Sequence, residues 1–515
     1  MKFIKITICL MLLSLIITSG AIASEPQFRQ ISITGDTTAD EFISSLNWLN
    51  MTPGGSQSNK FHHIINTVAN TYYYGITQDE LLSSVVNGQF LRLYNHDTDF
   101  IYSSMFDCLD KFSYYIPPMF NSMVEEPHYT GYGFVIYDTN RNKYVNKEPG
   151  LFLEEIYEDS PAEKAGFLPD DKVIYVNDIK VENLPLNAIS SLLSSYDDNQ
   201  ECTLTVERNG ELYEATMKKE FILSKELMET YYPEYSTVKL DITAFNSSAL
   251  ETQFKEAVSN AYKMGYKNLI IDLRNNSGGV VDYTMKIADF LITKKHQLFS
   301  FYTKDDQLYM NYESDRDGYK FRKVYVLVNA QTASSAEALT IALKDLAGAV
   351  VVGQKTYGKQ VGQIVYPLED NSIFAITTIK GYGPENEDYN NVGIVPDHTV
   401  ENKTYTVEPP ADFLPLTAEQ LPLICPDGDR EAILALEQRY MLLTHLPEEN
   451  VDGIYDQNLD SCIKITQVMR GSDETELTEG FLQYIDKHLE DMTGSIRASE
   501  DTQLDFVMNL IKPKR

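Results

Sequence analysis

A serine at the head of one helical run and a lysine behind a glycine 25 residues later are the pair in this chain with the most specific chemistry. Ser334 follows the strand-like apolar run Val324 to Val328 and lies in the polar turn Asn329 to Ser335, before the apolar-rich run Ala336 to Leu346. That order puts Ser334 where a helix begins. Free backbone N–H groups and a favourable dipole are found there, and acyl transfer needs both at its oxyanion. No histidine lies in this stretch to act as base. Lys359 follows Thr356-Tyr357-Gly358, and a lysine kept neutral by desolvation can deprotonate a serine. Taken alone, a Ser beside a Thr at a helix start reads as an N-cap, and a loop lysine reads as a solvated charge. Gly353 to Lys359 also fits the phosphate-loop spacing. Gln360 stands where such a loop needs Ser or Thr for its metal, which argues against a nucleotide site.

Read together, Thr332-Ala333-Ser334-Ser335-Ala336-Glu337, Gly353 to Lys359 and Gln363 resemble the motifs of the carboxyl-terminal processing peptidases, or tail-specific proteases. That family has approximately T-A-S-A-S-E, then G-x-x-T-x-G-K, then a glutamine four residues on. The resemblance implies a Ser/Lys dyad with Ser334 as nucleophile, Lys359 as general base and Gln363 orienting the lysine amine. Ser-Ser-Ala in place of Ser-Ala-Ser leaves Ser335 as a second candidate nucleophile, but the spacings to Lys359 and Glu337 favour Ser334. No metal or organic cofactor is required.

A second strand-turn-helix supports the same site. Asn268 to Leu273 reads as a buried strand, Arg274 to Gly279 as a turn, and Tyr283 to Ile292 as a helix. The turn resembles the family's D-L-R-x-N-x-G-G, with Ser277 in place of its usual proline. Glycine lets a backbone amide approach a reacting carbonyl closely. Gly278 or Gly279 is therefore a candidate oxyanion donor, with the amide of Ser335 as the other. A tight turn with a helix cap is the plain alternative.

The rest of the chain must position these residues. Its 515 residues, 43% hydrophobic, suffice for several cores. Lys2 and Lys5 before the apolar run Ile6 to Ile17, then Ala21-Ile22-Ala23, read as a secretory signal over residues 1–23. No other apolar stretch is long enough to span a bilayer, so the mature protein is expected on the outer side of the cytoplasmic membrane without stable insertion. A formal net charge of −32 argues against nucleic acid and anionic lipid as partners. Outside the signal lie Cys108, Cys202, Cys425 and Cys462, with no CxxC or His/Cys cluster, so structural zinc has little support. A Cys425–Cys462 disulfide and four free thiols are both open.

Residues 24–127 read as mainly helical and resemble the family's N-terminal region, which would pack on the core or on a second subunit. His62-His63 are adjacent and cannot share a helix face, so they read as surface residues. Residues 128–223 resemble a PDZ domain: Gly131-Tyr132-Gly133-Phe134 matches its carboxylate loop, Ser160 to Gly166 and Asp171 to Asn177 match its next elements, and Leu186 to Tyr196 supplies the groove helix. Asn209-Gly210 turns the final hairpin. A bound peptide C-terminus would add a strand beside Phe134 to Tyr137. Residues 224–400 read as a layered α/β domain that resembles the family's protease core, the resemblance closing on Val392 to Asp397, with His398 following as a conceivable rival base. Residues 401–427 read as a Pro-rich linker, 428–490 resemble a peptidoglycan-binding-like helical domain for which the resemblance implies assembly rather than glycan binding, and 491–515 a terminal helix.

The expectation is an α/β multidomain protein: a layered serine protease core, crotonase- or Clp-protease-like by resemblance, with an inserted PDZ domain, an N-terminal helical region and a small C-terminal helical domain. It would be an exported endopeptidase that takes protein or peptide substrates by their C-terminal tails, with homodimerisation and peptidoglycan as further candidate partnerships. The contrasting reading is a non-catalytic envelope scaffold that binds peptides and peptidoglycan, which would tolerate loss of Ser334 and Lys359.

Overall fold

The computed structural model describes residues 56–512, apart from 88–98, 107, 119–127, 140–147, 183, 224–225, 294, 445, 447 and 473–475. The signal-peptide segment lies outside the described residues, as does part of the N-terminal region. Among the described residues, no helix is long and apolar enough to cross a membrane.

The chain divides into two units. The smaller holds the helices Ser56–Thr71, Gln78–Asn87 and Asp99–Phe106. Their apolar stripes, with Phe61, Ile65, Leu81 and Tyr102 fully buried, close on Phe374 and Ile376. Residues 362–380, which the sequence reading places inside the 224–400 core, group by compactness with these helices. The reason is visible in the pairing: Tyr114–Ile116 adds an antiparallel strand at Ile373 to Ala375, which carries the apolar hairpin face onto the helical core.

In the larger unit, the protease core is a six-stranded sheet. Its order is Leu227–Tyr232, Thr237–Ile242, Asn268–Asp272, Lys323–Val328, Val350–Gly353 and His398–Thr399. The first pair is antiparallel and the rest are parallel. Near-continuous Val, Ile and Leu in the central strands suits a sheet covered on both faces. Alternate residues Ile270, Tyr325, Leu327 and Val352 pack against Leu504, Val507, Met508 and Ile511 of the terminal helix Thr502–Ile511. The helices Leu250–Lys263, Val281–Asp289 and Ser335–Ala347 pack on one another and against the sheet.

The PDZ sheet runs Phe134–Asp138, Leu151–Ile156, Lys172–Val176, Cys202–Arg208 and Glu211–Met217. Asn209 and Gly210 both have positive φ, as the expected two-residue hairpin turn requires. The segment expected as a linker is structured. Lys403–Thr406 pairs with Ile496–Glu500, and Leu416, Leu421 and Ile424 are buried in the core of the helices Arg430–Thr444, Gln457–Met469 and Glu479–Met492. Leu-Pro spacing looked like a linker, yet its leucines are what the module needs to bury. Helix Gln457–Met469 packs on the PDZ groove helix Leu186–Ser195, so the two share one hydrophobic core.

Candidate active site

Ser334 stands just past the carboxyl end of strand Lys323–Val328, and Gly278 just past that of its parallel neighbour Asn268–Asp272. In open α/β sheets this end is where loops from adjacent strands converge. The two turns are stitched together. The Thr332 hydroxyl donates to Leu273 O at 2.8 Å, and the Ala333 N–H donates to Asn276 O at 2.9 Å.

Ser334 has φ 59° and ψ −123°, a conformation L side chains rarely adopt. Such strain, about 1–3 kcal/mol, persists only where surrounding contacts over-determine it. Here the contact is Glu337. Its Oε2 accepts the N–H of Ser334 at 2.9 Å and the N–H of Lys359 at 2.8 Å. Its Oε1 accepts the Thr356 hydroxyl at 2.5 Å and the Gly358 N–H at 2.6 Å. One carboxylate thus ties the start of the serine helix to the loop that carries the lysine. Glu337 is fully buried. Burial raises its pKa above the ordinary carboxylate value, and the four donors offset only part of that.

Gly358, at φ 88°, lets the lysine loop pass close to Gly393: a Cβ there would lie 2.7 Å from Gly393 N. Ser334 is partly exposed, whereas Ser335 is 2% exposed with its Oγ buried and without a partner. The rival nucleophile is therefore turned inward. A Cβ on Gly278 would lie 2.8 Å from Ser334 Cβ and 3.1 Å from Ser335 N. The glycine turn and the serine turn are in contact, and only glycine fits.

Of the two candidate oxyanion donors, the Gly278 N–H is engaged by Asn276 Oδ1 at 2.8 Å, while Gly279 is exposed and has φ 149°. The Gln363 amide donates to Thr377 Oγ1 at 2.9 Å. His398 is exposed on the last strand of the sheet, its ring 5.1 Å from that of Phe506. Among the described residues, no cluster of three or more His, Cys, Asp or Glu could hold a metal.

At the PDZ loop, Gly131, Tyr132 and Gly133 are buried and Phe134 is half-buried. Gly133 has φ 81°, and its carbonyl accepts the Tyr157 N–H at 2.8 Å. Among the described residues, strand Phe134–Asp138 pairs on one side only, with Leu151–Ile156, and ends the order of its sheet. An edge strand of this kind can accept an added peptide strand.

Sequence reasoning quoted Glu337 as part of a motif without giving it work. A charged residue inside the apolar run Ala336 to Leu343 was the available signal, since a carboxylate is rarely buried without partners. Asp272 and Arg274, which clamp the glycine turn, were likewise passed over.

Residues 237–400 match Peptidase family S41, and residues 152–208 match the PDZ domain. The chain is 33% identical over 248 residues to a probable CtpA-like serine protease of Staphylococcus saprophyticus, a match spanning 48% of this chain and half of that relative's length. It is 26% identical over 415 residues to one of Staphylococcus epidermidis, covering 79% of this chain and 77% of that one. Among solved structures, the photosystem II D1 C-terminal processing protease is similar at 21% identity and a TM-score of 0.42, over 67% of this chain and 94% of that one. Residues 237–400 thus match a serine peptidase family and residues 152–208 a PDZ domain, and the chain is similar to CtpA-like serine proteases.

Proposed function

We propose that this protein is an exported endopeptidase that holds the C-terminal tail of a polypeptide in its PDZ groove and cleaves the chain with a Ser334/Lys359 dyad. The observation that carries the reading is the shared Glu337 carboxylate, which ties the backbones of Ser334 and Lys359 to one anchor. In this mechanism Ser334 Oγ attacks the scissile carbonyl carbon while neutral Lys359 Nζ takes its proton. The tetrahedral oxyanion is held by the amides of Gly279 and Ser335, with Gly278 serving by its close approach. Lys359 then gives the proton to the leaving amine as the C–N bond breaks. Water, deprotonated by the same amine, releases the acyl group. The resemblance assigns Gln363 the orienting role.

The tail is read at Gly131, Tyr132, Gly133 and Phe134 by backbone N–H groups, with the peptide strand added along Phe134–Asp138. Time-resolved mass spectrometry of an unfolded substrate with wild type and Ser334→Ala tests the whole reading. Cleavage fragments that accumulate equally in both samples would refute it. For residues 428–490, the packing of helix Gln457–Met469 on the PDZ supports a structural role over glycan binding. Retention of the purified protein on peptidoglycan sacculi would restore glycan binding, and light scattering tests the proposed homodimer.

A further inference from the structure

We propose that Asp501, at the head of the terminal helix, is a positioning residue for the oxyanion turn. Peptide-bond cleavage would then depend on a carboxylate about a hundred residues beyond the matched protease domain. The inference rests on the dyad reading above.

Arg274 opens the turn that ends at Gly279. Its guanidinium is forked between two carboxylates. Nε donates to Asp272 Oδ1 at 2.8 Å, and Nη2 donates to Asp272 Oδ2. On the other side, Nη1 donates to Asp501 Oδ1 at 2.6 Å and Nη2 to Asp501 Oδ2 at 2.9 Å, with Gln503 Oε1 at 3.4 Å from Nη1. Paired carboxylate contacts of this geometry are the directional kind of ion pair. The Arg274 side chain is 14% exposed. Without Asp501, Nη1 would keep only the long contact to Gln503 and Nη2 only Asp272, so the guanidinium would be held from one side instead of two.

Asp501 is itself held. Its Oδ1 accepts the Leu504 N–H at 3.1 Å as helix cap, and the helix behind it is pinned to the sheet by Leu504, Val507 and Met508. The first turn of the helix is pinned too, since Gln503 Nε2 donates to Val400 O at 2.8 Å.

The path from Arg274 to the reacting atoms is short and polar. The next residue, Asn275, exchanges bonds with the Asn329 side chain at 3.0 and 2.8 Å. Asn276 is fully buried; its Nδ2 donates to Ile242 O, its Oδ1 accepts the Gly278 N–H, and its carbonyl accepts the Ala333 N–H. Gly278 then lies against Ser334. Rotating Arg274 moves the start of this chain of bonds, and the Gly279 amide is at its end. Displacement of one catalytic donor by about 1 Å is worth up to 10²-fold in rate.

The test is Asp501→Asn in the full-length protein, with Asp501→Glu as the conservative variant. Three quantities are measured: kcat and KM on an unfolded substrate, affinity for a peptide boronate that forms a tetrahedral adduct with the serine, and the folded fraction by near-UV circular dichroism. The expected result is kcat lowered at least tenfold with KM within about twofold, boronate affinity lowered in step, and partial recovery in Asp501→Glu. Wild-type kcat in Asp501→Asn would overturn the inference, as would a loss of kcat that only tracks a lost folded fraction. Failure of the underlying reading is distinct, because it shows as turnover in Ser334→Ala.

Discussion

Ser334 and Lys359 hang their backbone N–H groups on a single oxygen, Glu337 Oε2, at 2.9 and 2.8 Å. The strained backbone of the serine and the loop of the lysine therefore cannot shift independently. A preorganised nucleophile and base avoid paying for alignment at each turnover.

The proposed dyad makes a direct demand on Lys359. A general base at this place contributes on the order of 10²–10⁴ in rate, and guanidinium stays protonated at any working pH. Lys359→Arg and Lys359→Met are each expected to lower kcat by at least that range, while Gln363→Ala costs less. Substantial turnover by purified Lys359→Arg would return the search to the histidines, starting with His398.

Glu337 predicts how the enzyme fails in acid. Burial raises its pKa despite four donors. As pH falls through that raised value, the carboxylate takes a proton and loses an acceptor that Ser334 or Lys359 uses. Activity should fall on an acid limb above the ordinary glutamate range. Stability moves the other way: a raised folded pKa contributes stability fully below the unfolded value and loses it as pH rises through the folded one. Opposite trends in kcat and melting temperature are expected, and Glu337→Gln should lower kcat roughly 10- to 100-fold while removing that acid limb. Parallel trends would detach the carboxylate from the reaction.

Tail reading by the PDZ loop is tested through the substrate. Amidating the C-terminus of a long substrate removes the anion that the Gly131 to Phe134 amides are proposed to hold. Processing should slow while hydrolysis of short peptides changes less. Equal rates for free and amidated long substrates would end the tail-capture proposal.

Glu437 gives the C-terminal module its own pH dependence. It is 1% exposed, and burial followed by the charges of Asp452 and Asp456 pushes it up to about 7, although the Gly453 N–H opposes this. Its contribution to stability is complete below about 4.5 and is lost as pH rises through about 7, on the order of 3 kcal/mol. Glu437→Gln should remove that loss and raise the melting temperature at pH 8. An unchanged melting profile between pH 5 and 8 in both proteins would contradict it.

The cysteines separate by reactivity. No disulfide joins Cys425 to Cys462: the first is exposed and the second buried. Burial pushes the Cys202 thiol up to about 11 and that of Cys462 up to about 12. A native-state maleimide reaction should label Cys108 and Cys425 and spare the other two. Loss of label at Cys425 that returns on reduction would restore the disulfide.

Much of this architecture was legible because it rests on local patterns. Asn268 to Leu273 reads as a buried strand from its unbroken aliphatic run, and Asn209-Gly210 reads as a hairpin from the φ each residue tolerates. The serine at a helix start was legible for the same reason. What was not legible depends on partners far away in sequence. Leu416, Leu421 and Ile424 read as linker because their burial is decided by helices that follow them. Ser335 stayed open as a nucleophile until the direction of the helix entry turned its hydroxyl inward. Glu337 and Arg274 are ordinary charged residues in the linear text, and only the fold shows what they hold together.

The bond between Arg274 and Asp501 spans 227 residues, which has a consequence for the order of events during synthesis. A growing chain exposes Ser334, Lys359 and the glycine turn long before the helix Thr502–Ile511 emerges. Until that helix docks, Arg274 has half its carboxylate partners and one face of the protease sheet is uncovered. The emerging enzyme is thus expected to stay silent toward its own unfolded chain and its neighbours until the helix Thr502–Ile511 has been made and has docked. Ribosome-stalled chains ending before Ile496 should fail to react with a serine-directed activity probe that labels the finished protein. A built-in delay of this kind would let a protease specific for loose tails be made without consuming its own.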